Sequence, residues 1–307
     1  MTAFRWGVKC DRGRVREVNQ DRALVADPLF AVADGMGGHR GGEVASRLAL
    51  EALRDGVEEL TTDSLVDAFD HANEVVLAEA GSDPALSGMG TTMCAVALVR
   101  SGSDDRIAVV NLGDSRVYRF HDATLDQLTE DHSLVEDMVR RGRLTRQEAL
   151  RHPQRNILTK AIGIDADIRA DAWEVRPHVG DRYVLCSDGL FNEVDDDRIS
   201  ATLRRLDDPG DAADELVRLA NQAGGHDNVT VLVVDVVEDG DGGRGGGGLV
   251  GESAEVDMAG FSAAGGEPSG DGRHDVAGGE IHGEPADGPL RRLARRLTWR
   301  AGVLVSS

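Results

Sequence analysis

Long apolar runs are missing from this 307-residue chain, and so are the features of a secretory leader. Nowhere do about 18 consecutive apolar residues occur, which is roughly the length that a helix needs to cross a bilayer. Residues 1–9 lack the apolar core and the small-residue cleavage site of a signal peptide. We therefore expect a cytoplasmic protein without a membrane-spanning helix.

Cysteine is scarce, since Cys10, Cys94 and Cys186 lie far apart and no two of them have CxxC spacing. Each lies in or beside an apolar run, which predicts buried free thiols in a reducing compartment rather than a disulfide framework. The chain also lacks an HExxH motif and any Cys/His set of the kind that binds zinc. A zinc site is accordingly not expected.

Basic side chains are outnumbered, because 34 Lys and Arg stand against 55 Asp and Glu, for a formal net charge of −21. Residues 1–237 carry −16, residues 238–289 carry −10, and residues 290–307 carry +5. The acidic body excludes nucleic acid as a partner, because phosphate binding needs clustered Lys and Arg. The acid excess fits either a site that collects cations or a surface that favours solubility.

The apolar pattern changes period along the chain. Helical spacing over 43–60 and 63–80 predicts two amphipathic helices after an N-terminal group of strands. Short alternating runs between tight turns then predict antiparallel strands, followed by two helices, the second of which begins at Asp208-Pro209. A last strand is expected over 229–237. This order of elements indicates an α+β domain in which helices cover antiparallel sheet.

The composition changes sharply after residue 237. Seventeen of the 51 residues from 239 to 289 are glycine and most of the charged ones are acidic, which predicts a disordered linker over 238–289. In residues 290–307, a helix would gather leucines on one face opposite five arginines. Such a segment can contact an anionic membrane surface, but it is short and has no lipidation motif. Membrane contact is therefore not favoured over an unstructured end or a segment folded back onto the acidic body.

Four segments share one form, an apolar strand next to an aspartate and a glycine or turn. The first is Leu29-Phe-Ala-Val-Ala-Asp34-Gly-Met-Gly-Gly-His39, and the others carry Asp114, Asp188 and Asp227. One such element is often an ordinary turn. Four of them indicate carboxylates gathered at one sheet edge, where their repulsion is tolerable only if divalent cations neutralise it. Oxygen ligands select Mg²⁺ or Mn²⁺, and two such ions can activate water and hold phosphoryl oxygens.

Seven short motifs follow one another along the chain. They are Arg16-x-x-Asn-Gln-Asp21, Ala33-Asp-Gly-Met-Gly-Gly-His39, Gly90-Thr-Thr, Gly113-Asp-Ser-Arg116, Leu158-Thr-Lys-Ala-Ile-Gly163, Ser187-Asp-Gly-Leu190 and Asp227-Asn-Val-Thr230. In their order and rough spacing, residues 5–237 resemble the metal-dependent, type 2C serine/threonine protein phosphatase family, bacterial branch. The resemblance implies a four-layer α-β-β-α sandwich of two antiparallel sheets flanked by helices, with metal ions in a cleft at one end of the sheets.

The resemblance also implies which residues bind metal. Asp34 would bridge two Mn²⁺ or Mg²⁺ ions, and the Gly35 carbonyl would bind one of them. Asp188 and Asp227 would hold the other ion, and Asp114 would help to bind a third, looser one. The implied reaction is hydrolysis of phosphoserine or phosphothreonine in proteins, by in-line attack of the bridging metal-bound water and without a phospho-enzyme.

Further roles follow from the same resemblance. Asp21 matches an acidic position of the metal site that orients water, and Arg16 matches the residue that grips the substrate phosphate with a planar, permanently charged fork. His39 is a candidate general acid, although eukaryotic members carry their histidine at the position of Met36; the alternative is a loop histidine that bonds backbone. Gln20 stands where many members have glutamate, which predicts weaker binding of one ion.

Residues 133–156 match the family's flap, which borders the cleft and either influences substrate choice or is a solvated connection. Expected partners are phosphoserine and phosphothreonine proteins, including a serine/threonine kinase and its targets, and the enzyme is expected to be a monomer. The alternative is a catalytically impaired phosphatase fold that only binds phosphoproteins, but this predicts loss of a metal aspartate and none is missing. The aspartyl-phosphate phosphatases are disfavoured because Asp34-Gly-Met36 lacks their second aspartate.

Overall fold

The structure is a computed structural model that describes residues 2–38, 40–101, 104–238 and 248–250. These residues belong to one structural unit. His39, most of the predicted linker and the basic segment 290–307 lie outside the described residues. None of the helices in the described part of the chain is long and apolar enough to cross a membrane.

Twelve short and medium strands occur in the described residues. They are β1 (Thr2–Asp11), β2 (Asp21–Ala26), β3 (Leu29–Met36), β4 (Gly90–Thr91), β5 (Met93–Ser101), β6 (Asp104–Leu112), β7 (Arg116–His121), β8 (Thr124–Gln127), β9 (Asp171–Val175), β10 (Arg182–Cys186), β11 (Val229–Glu238) and β12 (Gly248–Val250). All pair antiparallel, in the orders β1-β11-β10-β7-β8 and β12-β2-β3-β5-β6-β9, with β4 paired to β3. The strands predicted from alternation are thus confirmed as two antiparallel sheets.

Seven α-helices accompany the strands in the described residues. They are α1 (Gly41–Gly56), α2 (Thr62–Ser82), α3 (Leu134–Arg140), α4 (Arg146–Ala149), α5 (Asp188–Phe191), α6 (Asp196–Arg205) and α7 (Pro209–Ala223). The capping residues explain where the longer ones begin. Thr61 and Ser64 cap α2 reciprocally, and the side chain of Asp208 accepts from the first amides of α7. The predictions for α1, α2 and α7 are confirmed within a few residues.

Three apolar clusters separate four layers. One lies between the sheets and contains Phe30, Val32, Tyr183 and Leu232. A second packs α1 and α2 against the outer face of the β2-β3-β5-β6 sheet, and a third packs α6 and α7 against the outer face of the other sheet. Because central strands such as β3, β10 and β11 are covered on both faces, their residues are almost continuously apolar. The predicted four-layer α-β-β-α sandwich is confirmed.

Two details differ from the sequence prediction. Three helices rather than two lie between β10 and β11, because Asp188–Phe191 forms a single helical turn too short to show a period. Gly248–Val250, inside the predicted disordered linker, pairs with β2 as a short strand. It satisfies backbone groups of β2, which would otherwise be an open sheet edge. The rest of the linker prediction stays untested.

Candidate metal centre

Five aspartates lie close to one another where strands of both sheets end. Each is within two residues of a strand end, and Asp21 of β2 is paired in register with Asp34 of β3. Asp114 follows β6, Asp188 follows β10, and Asp227 precedes β11. The structure therefore brings together all five carboxylates that were predicted to bind or orient the metal ions.

The pKa is raised at Asp21, Asp34, Asp114 and Asp188, and the charges of neighbouring aspartates contribute to each shift. Burial is the largest cause at Asp34, whose pKa lies well above its usual range, and the charges of Asp21, Asp188, Asp114 and Asp227 add to it. The pKa of Asp188 is also raised well above its usual range, by burial and then by three of the same neighbours. Burial is likewise the main cause that raises the pKa of Asp114 to about 7 and that of Asp21 to about 6. Cations that neutralise such a cluster relieve this repulsion.

Two oxygen atoms in the cluster point to a bound cation. Asp21 is 1% exposed; its Oδ2 accepts a hydrogen bond from Ser187 Oγ at 2.6 Å, whereas its Oδ1 has no hydrogen-bond partner in the described residues. Asp188 Oδ2 accepts from Asn192 Nδ2 at 3.0 Å, and its buried Oδ1 likewise has no partner there. A buried oxygen without a donor is costly, so both atoms fit a site that holds a hard cation and the waters bound to it.

The chemistry of the donor set favours Mg²⁺ or Mn²⁺, because all five side chains offer oxygen alone. Within the described ranges, no three His, Cys, Asp or Glu side chains meet at one point as a complete ligand cage. Mg²⁺ is commonly bound through one or two carboxylates and keeps several waters, so carboxylates spaced around a cleft suit it. The mutual repulsion of these aspartates and their two unpartnered oxygens therefore mark this cleft as the candidate metal centre.

Asp34 is held in place by the Gly90-Thr-Thr motif. Its carbonyl accepts from Thr91 Oγ1 at 2.8 Å and from the Thr92 amide at 2.9 Å, and its own amide donates to Thr92 Oγ1 at 3.2 Å. All three bonds use the backbone of Asp34. Its carboxylate is consequently left to face the cleft, where it is half-buried.

Glycine is required directly after Asp34, because helix α1 begins against that backbone. A Cβ at Gly35 would lie 2.0 Å from the carbonyl oxygen of Gly42, and a Cβ at Gly42 would lie 2.6 Å from that of Gly35. The Gly35 amide donates to the Gln20 carbonyl at 3.2 Å, and Ser46 Oγ donates to the same carbonyl at 2.7 Å. This close packing positions the backbone of Gly35 beside the cluster.

Arg16 reaches the same cluster from the loop between β1 and β2. Its Nη2 donates to Asp227 Oδ2 at 2.7 Å, while Asp227 Oδ1 accepts from the Asn228 amide at 2.9 Å. This hydrogen bond is the largest cause that raises the pKa of Arg16, and the charges of Asp34 and Asp188 add to it. The Arg16 side chain remains 55% exposed. A permanent cation is thus fixed at the open side of the acidic cleft.

A family model for Protein phosphatase 2C matches residues 12–222. The chain belongs to this family. It is 37% identical over 240 residues to the serine/threonine phosphatase stp of Listeria welshimeri, a match that covers 74% of this chain and 94% of the relative. The crystal structure of the Mycobacterium tuberculosis serine/threonine phosphatase PstP/Ppp matches with a TM-score of 0.72 at 37% identity, covering 77% of this chain and 100% of that one.

A second solved structure bears on the metal. It is the catalytic domain of the serine/threonine protein phosphatase PstP in complex with two manganese ions, and it matches with a TM-score of 0.70 at 36% identity. The match covers 78% of this chain and 100% of that chain. The resemblance inferred from the seven motifs is confirmed by these comparisons.

Asn228 is a site residue of this protein phosphatase 2C chain that the sequence analysis did not single out. Its Nδ2 donates to the carbonyls of Arg12 and Val18, each at 2.9 Å, and its Oδ1 accepts from the Gln20 amide at 2.9 Å. It is 5% exposed. Asn228 therefore fixes both ends of the loop that carries Arg16. Its position next to Asp227 in the last motif was the available signal.

Asn228→Ala is expected to lower the free energy of unfolding by about 1–3 kcal/mol, because it leaves one buried donor and two carbonyls without their partner. It should also lower kcat/KM, since the loop that carries Arg16 loses its anchor. Urea unfolding and steady-state kinetics measure the two effects. Gln222→Ala, an exposed amide on α7, is the matched control. Unchanged stability and kinetics in the Asn228 variant would contradict the anchoring role.

The flap of this protein phosphatase 2C chain is built by α3 and α4 and the turns around them. Together with Asp114 and Asp188, residues of this segment line a cavity of about 730 Å³. The flap therefore borders the metal cleft rather than lying elsewhere on the surface. Its effect on substrate choice stays a prediction.

The remaining polar candidates are placed as follows. Gln20 Nε2 donates to the Gly37 carbonyl at 3.3 Å, toward the loop before α1. His226 is exposed and its Nδ1 lies 2.6 Å from Glu193 Oε1, whereas His132 is buried. Cys94 and Cys186 are buried free thiols, as predicted, and Cys10 is half-buried. His39 lies outside the described residues, so its role as a general acid stays a prediction.

Proposed function

We propose that this chain hydrolyses phosphoserine and phosphothreonine in proteins with the aid of divalent metal ions. The observation that carries the proposal is the cluster of five aspartates in a chain of the protein phosphatase 2C family. The pKa is raised at Asp21, Asp34, Asp114 and Asp188, and two buried oxygens of the cluster have no hydrogen-bond partner in the described residues. Its relatives named serine/threonine phosphatase are 37% identical over most of the chain. The alternative, an impaired fold that only binds phosphoproteins, is not favoured because every expected metal aspartate is present and gathered.

We propose Mn²⁺ or Mg²⁺ as the cofactor, with two core ions and a third, looser one. Asp34, the Gly35 carbonyl, Asp188 and Asp227 would hold the core pair, and Asp114 would contribute to the third. Oxygen donors without any nitrogen or sulfur support this assignment. So does the related catalytic domain that contains two manganese ions.

The bound ions supply Lewis acidity, which activates water for in-line attack and neutralises charge on the phosphoryl oxygens. The chain's own residues do the positioning. Asp21 offers its unpartnered Oδ1 as an acceptor for a water proton, because Ser187 Oγ, held in turn by the Thr230 amide at 3.0 Å, occupies its Oδ2. Thr91 and Thr92 hold Asp34 through its backbone, so the carboxylate stays aimed at the cleft.

Arg16 is proposed to bind the substrate phosphate. Only its Nη2 is bonded to Asp227, and a guanidinium presents five N–H donors in one plane. The bond to Asp227 therefore orients the group, while its other donors can meet two phosphate oxygens. A phosphate dianion drawn to this cation is also brought next to the metal cluster. The leaving alkoxide receives its proton from water or from a histidine, for which His39 stays the candidate.

The experiment that tests this function is hydrolysis of a phosphothreonine peptide and of para-nitrophenyl phosphate. Both activities are expected with Mn²⁺ or Mg²⁺ and should fall to background when a chelator removes the metal. Added Mn²⁺ should restore them, which separates metal removal from denaturation. A chain that binds the phosphopeptide tightly with no metal-dependent release of phosphate would support the impaired-fold alternative instead.

We further propose that the physiological substrates include a serine/threonine kinase and its targets, and that the enzyme acts as a cytoplasmic monomer. Cys94 and Cys186, which are buried free thiols, support a reducing compartment. Membrane contact through 290–307 is not favoured. Phosphoproteomics of a strain that lacks this chain would identify the substrates, and liposome co-sedimentation of the full chain tests the membrane alternative.

A further inference from the structure

A buried histidine outside the aspartate cluster holds the turn that carries Asp114. His132 lies between β8 and α3 and is 7% exposed. Its Nδ1 accepts a hydrogen bond from the Gly113 amide at 3.0 Å, and its own amide donates to the Gly113 carbonyl at 2.9 Å. Both backbone polar groups of the residue before Asp114 are therefore bonded to one histidine.

These contacts define the tautomer of His132. Because Nδ1 accepts from an N–H group, it carries a lone pair, and the proton of the neutral ring is on Nε2. Nε2 lies 3.0 Å from Asp171 Oδ2, to which it donates. Asp171 Oδ1 accepts from Lys160 Nζ at 3.2 Å. Successive hydrogen bonds therefore link Lys160 to Asp171, Asp171 to His132, and His132 to Gly113.

Thr92 contacts the same turn. Gly113 has a left-handed φ of +116°, and a Cβ there would lie 2.5 Å from Thr92 Cβ. Thr92 Oγ1 is also 2.7 Å from Ser115 Oγ and accepts from the Asp34 amide at 3.2 Å. Residues 113–115 are thus held between His132 and Thr92, and Thr92 also holds Asp34. The distance between the carboxylates of Asp34 and Asp114 depends on these two supports.

We propose that His132 is a positioning residue that fixes Asp114 in the metal centre, and that Asp171 keeps its ring in the Nε2–H tautomer. The inference rests on the proposed function, in which Asp114 binds the looser ion. Loss of the Nδ1 acceptor leaves the Gly113 amide without its partner and loosens the turn. The ion that uses Asp114 then binds more weakly, while the other metal ligands keep their supports.

Two substitutions of His132 test whether its side chain positions the turn that carries Asp114 or only fills space in the core. His132→Leu removes the acceptor and should raise the Mn²⁺ concentration for half-maximal activity about tenfold. Substitution of residues that hydrogen-bond to metal ligands typically weakens metal affinity by about this factor or more. At saturating Mn²⁺ its kcat should approach that of the wild type. His132→Asn retains a side-chain oxygen that can accept from Gly113 and should recover much of the affinity. His71→Leu, at an exposed position on α2, is the control.

Two measurements do not depend on turnover. Calorimetric titration with Mn²⁺ should show the same weakening in His132→Leu, and ¹⁵N NMR of the wild-type chain should show His132 protonated on Nε2 alone. If His132→Leu does not fold, Asp171→Ala replaces it, because that side chain is 48% exposed and its loss should weaken Mn²⁺ binding in the same direction.

The positioning role is overturned if the His132 and Asp171 variants bind Mn²⁺ as the wild type does, or if the spectrum shows a proton on Nδ1. A different failure concerns the function itself. If the wild type shows no Mn²⁺-dependent hydrolysis, the proposed function is wrong, whereas the calorimetric and NMR results still decide whether His132 positions Asp114.

Discussion

Asp34→Asn is expected to lower kcat about a thousandfold, to near the background of the metal-free protein. Asparagine has almost the same volume but no charge, so it would hold the proposed pair of cations much more weakly. A Lewis-acid contribution is worth several kcal/mol, and each ~1.4 kcal/mol corresponds to a factor of ten in rate. Initial rates with a phosphothreonine peptide at saturating Mn²⁺ measure the loss.

The same substitution should leave the fold intact. The hydrogen bonds from Thr91 and Thr92 to Asp34 involve only the backbone of Asp34, so these bonds persist in the variant. Removing one like charge from the cluster also relieves repulsion, so the melting temperature of the metal-free protein should not fall. Asp67→Asn, at an exposed position on α2, is the matched control and should keep wild-type rates. Near-full turnover in Asp34→Asn would refute the two-metal account.

Arg16→Ala is expected to lower kcat/KM about a hundredfold. A hydrogen bond to a charged group contributes about 1.5–3 kcal/mol, and the guanidinium can offer two of them to one phosphate. Arg16→Lys should recover only part of the loss, because an ammonium keeps the charge but cannot bind two oxygens in one plane. Steady-state kinetics with the phosphopeptide measure both variants.

Salt dependence and a neighbouring arginine provide the controls for Arg16. Arg14→Ala removes an exposed arginine from the same loop and should change kcat/KM little. Bulk electrostatic attraction would instead make the two variants similar and would vanish at high ionic strength. Equal effects of the two substitutions would therefore contradict specific hydrogen bonding of Arg16 to the phosphate.

Much of the fold could be predicted because its signals are local. Period-3.6 apolar spacing and an N-cap identify α2, and Asp208-Pro209 marks the start of α7. The short helix α5 was missed, since four residues cannot show a period. The strand β12 was missed because pairing with a distant edge, rather than its own composition, creates it. Both elements were missed because the sequence around them carries no periodic signal that predicts a helix or a strand.

The aspartates that we propose as metal ligands could also be named from the sequence. Each of Asp34, Asp114, Asp188 and Asp227 stands at a strand end beside a glycine or turn, and the seven motifs that include them point to one family. What the motifs do not say is how the carboxylates are supported. Asn228 lies inside a motif, yet its three bonds to the loop before β2 cross more than two hundred residues of chain.

The sequence by itself thus determined which residues are the candidates for the chemistry, because residue type and position relative to a strand end can be read from the sequence. Only the tertiary structure decided what holds them. Ser187 reaches Asp21 across 166 residues, and His132 reaches the amide of Gly113 across 19. Such bonds form only after the sheets pack, since no local pattern specifies which distant donor meets which acceptor. The unpartnered oxygens of Asp21 and Asp188, and the raised pKa values of Asp34 and Asp114, likewise arise only when folding crowds five carboxylates at one edge.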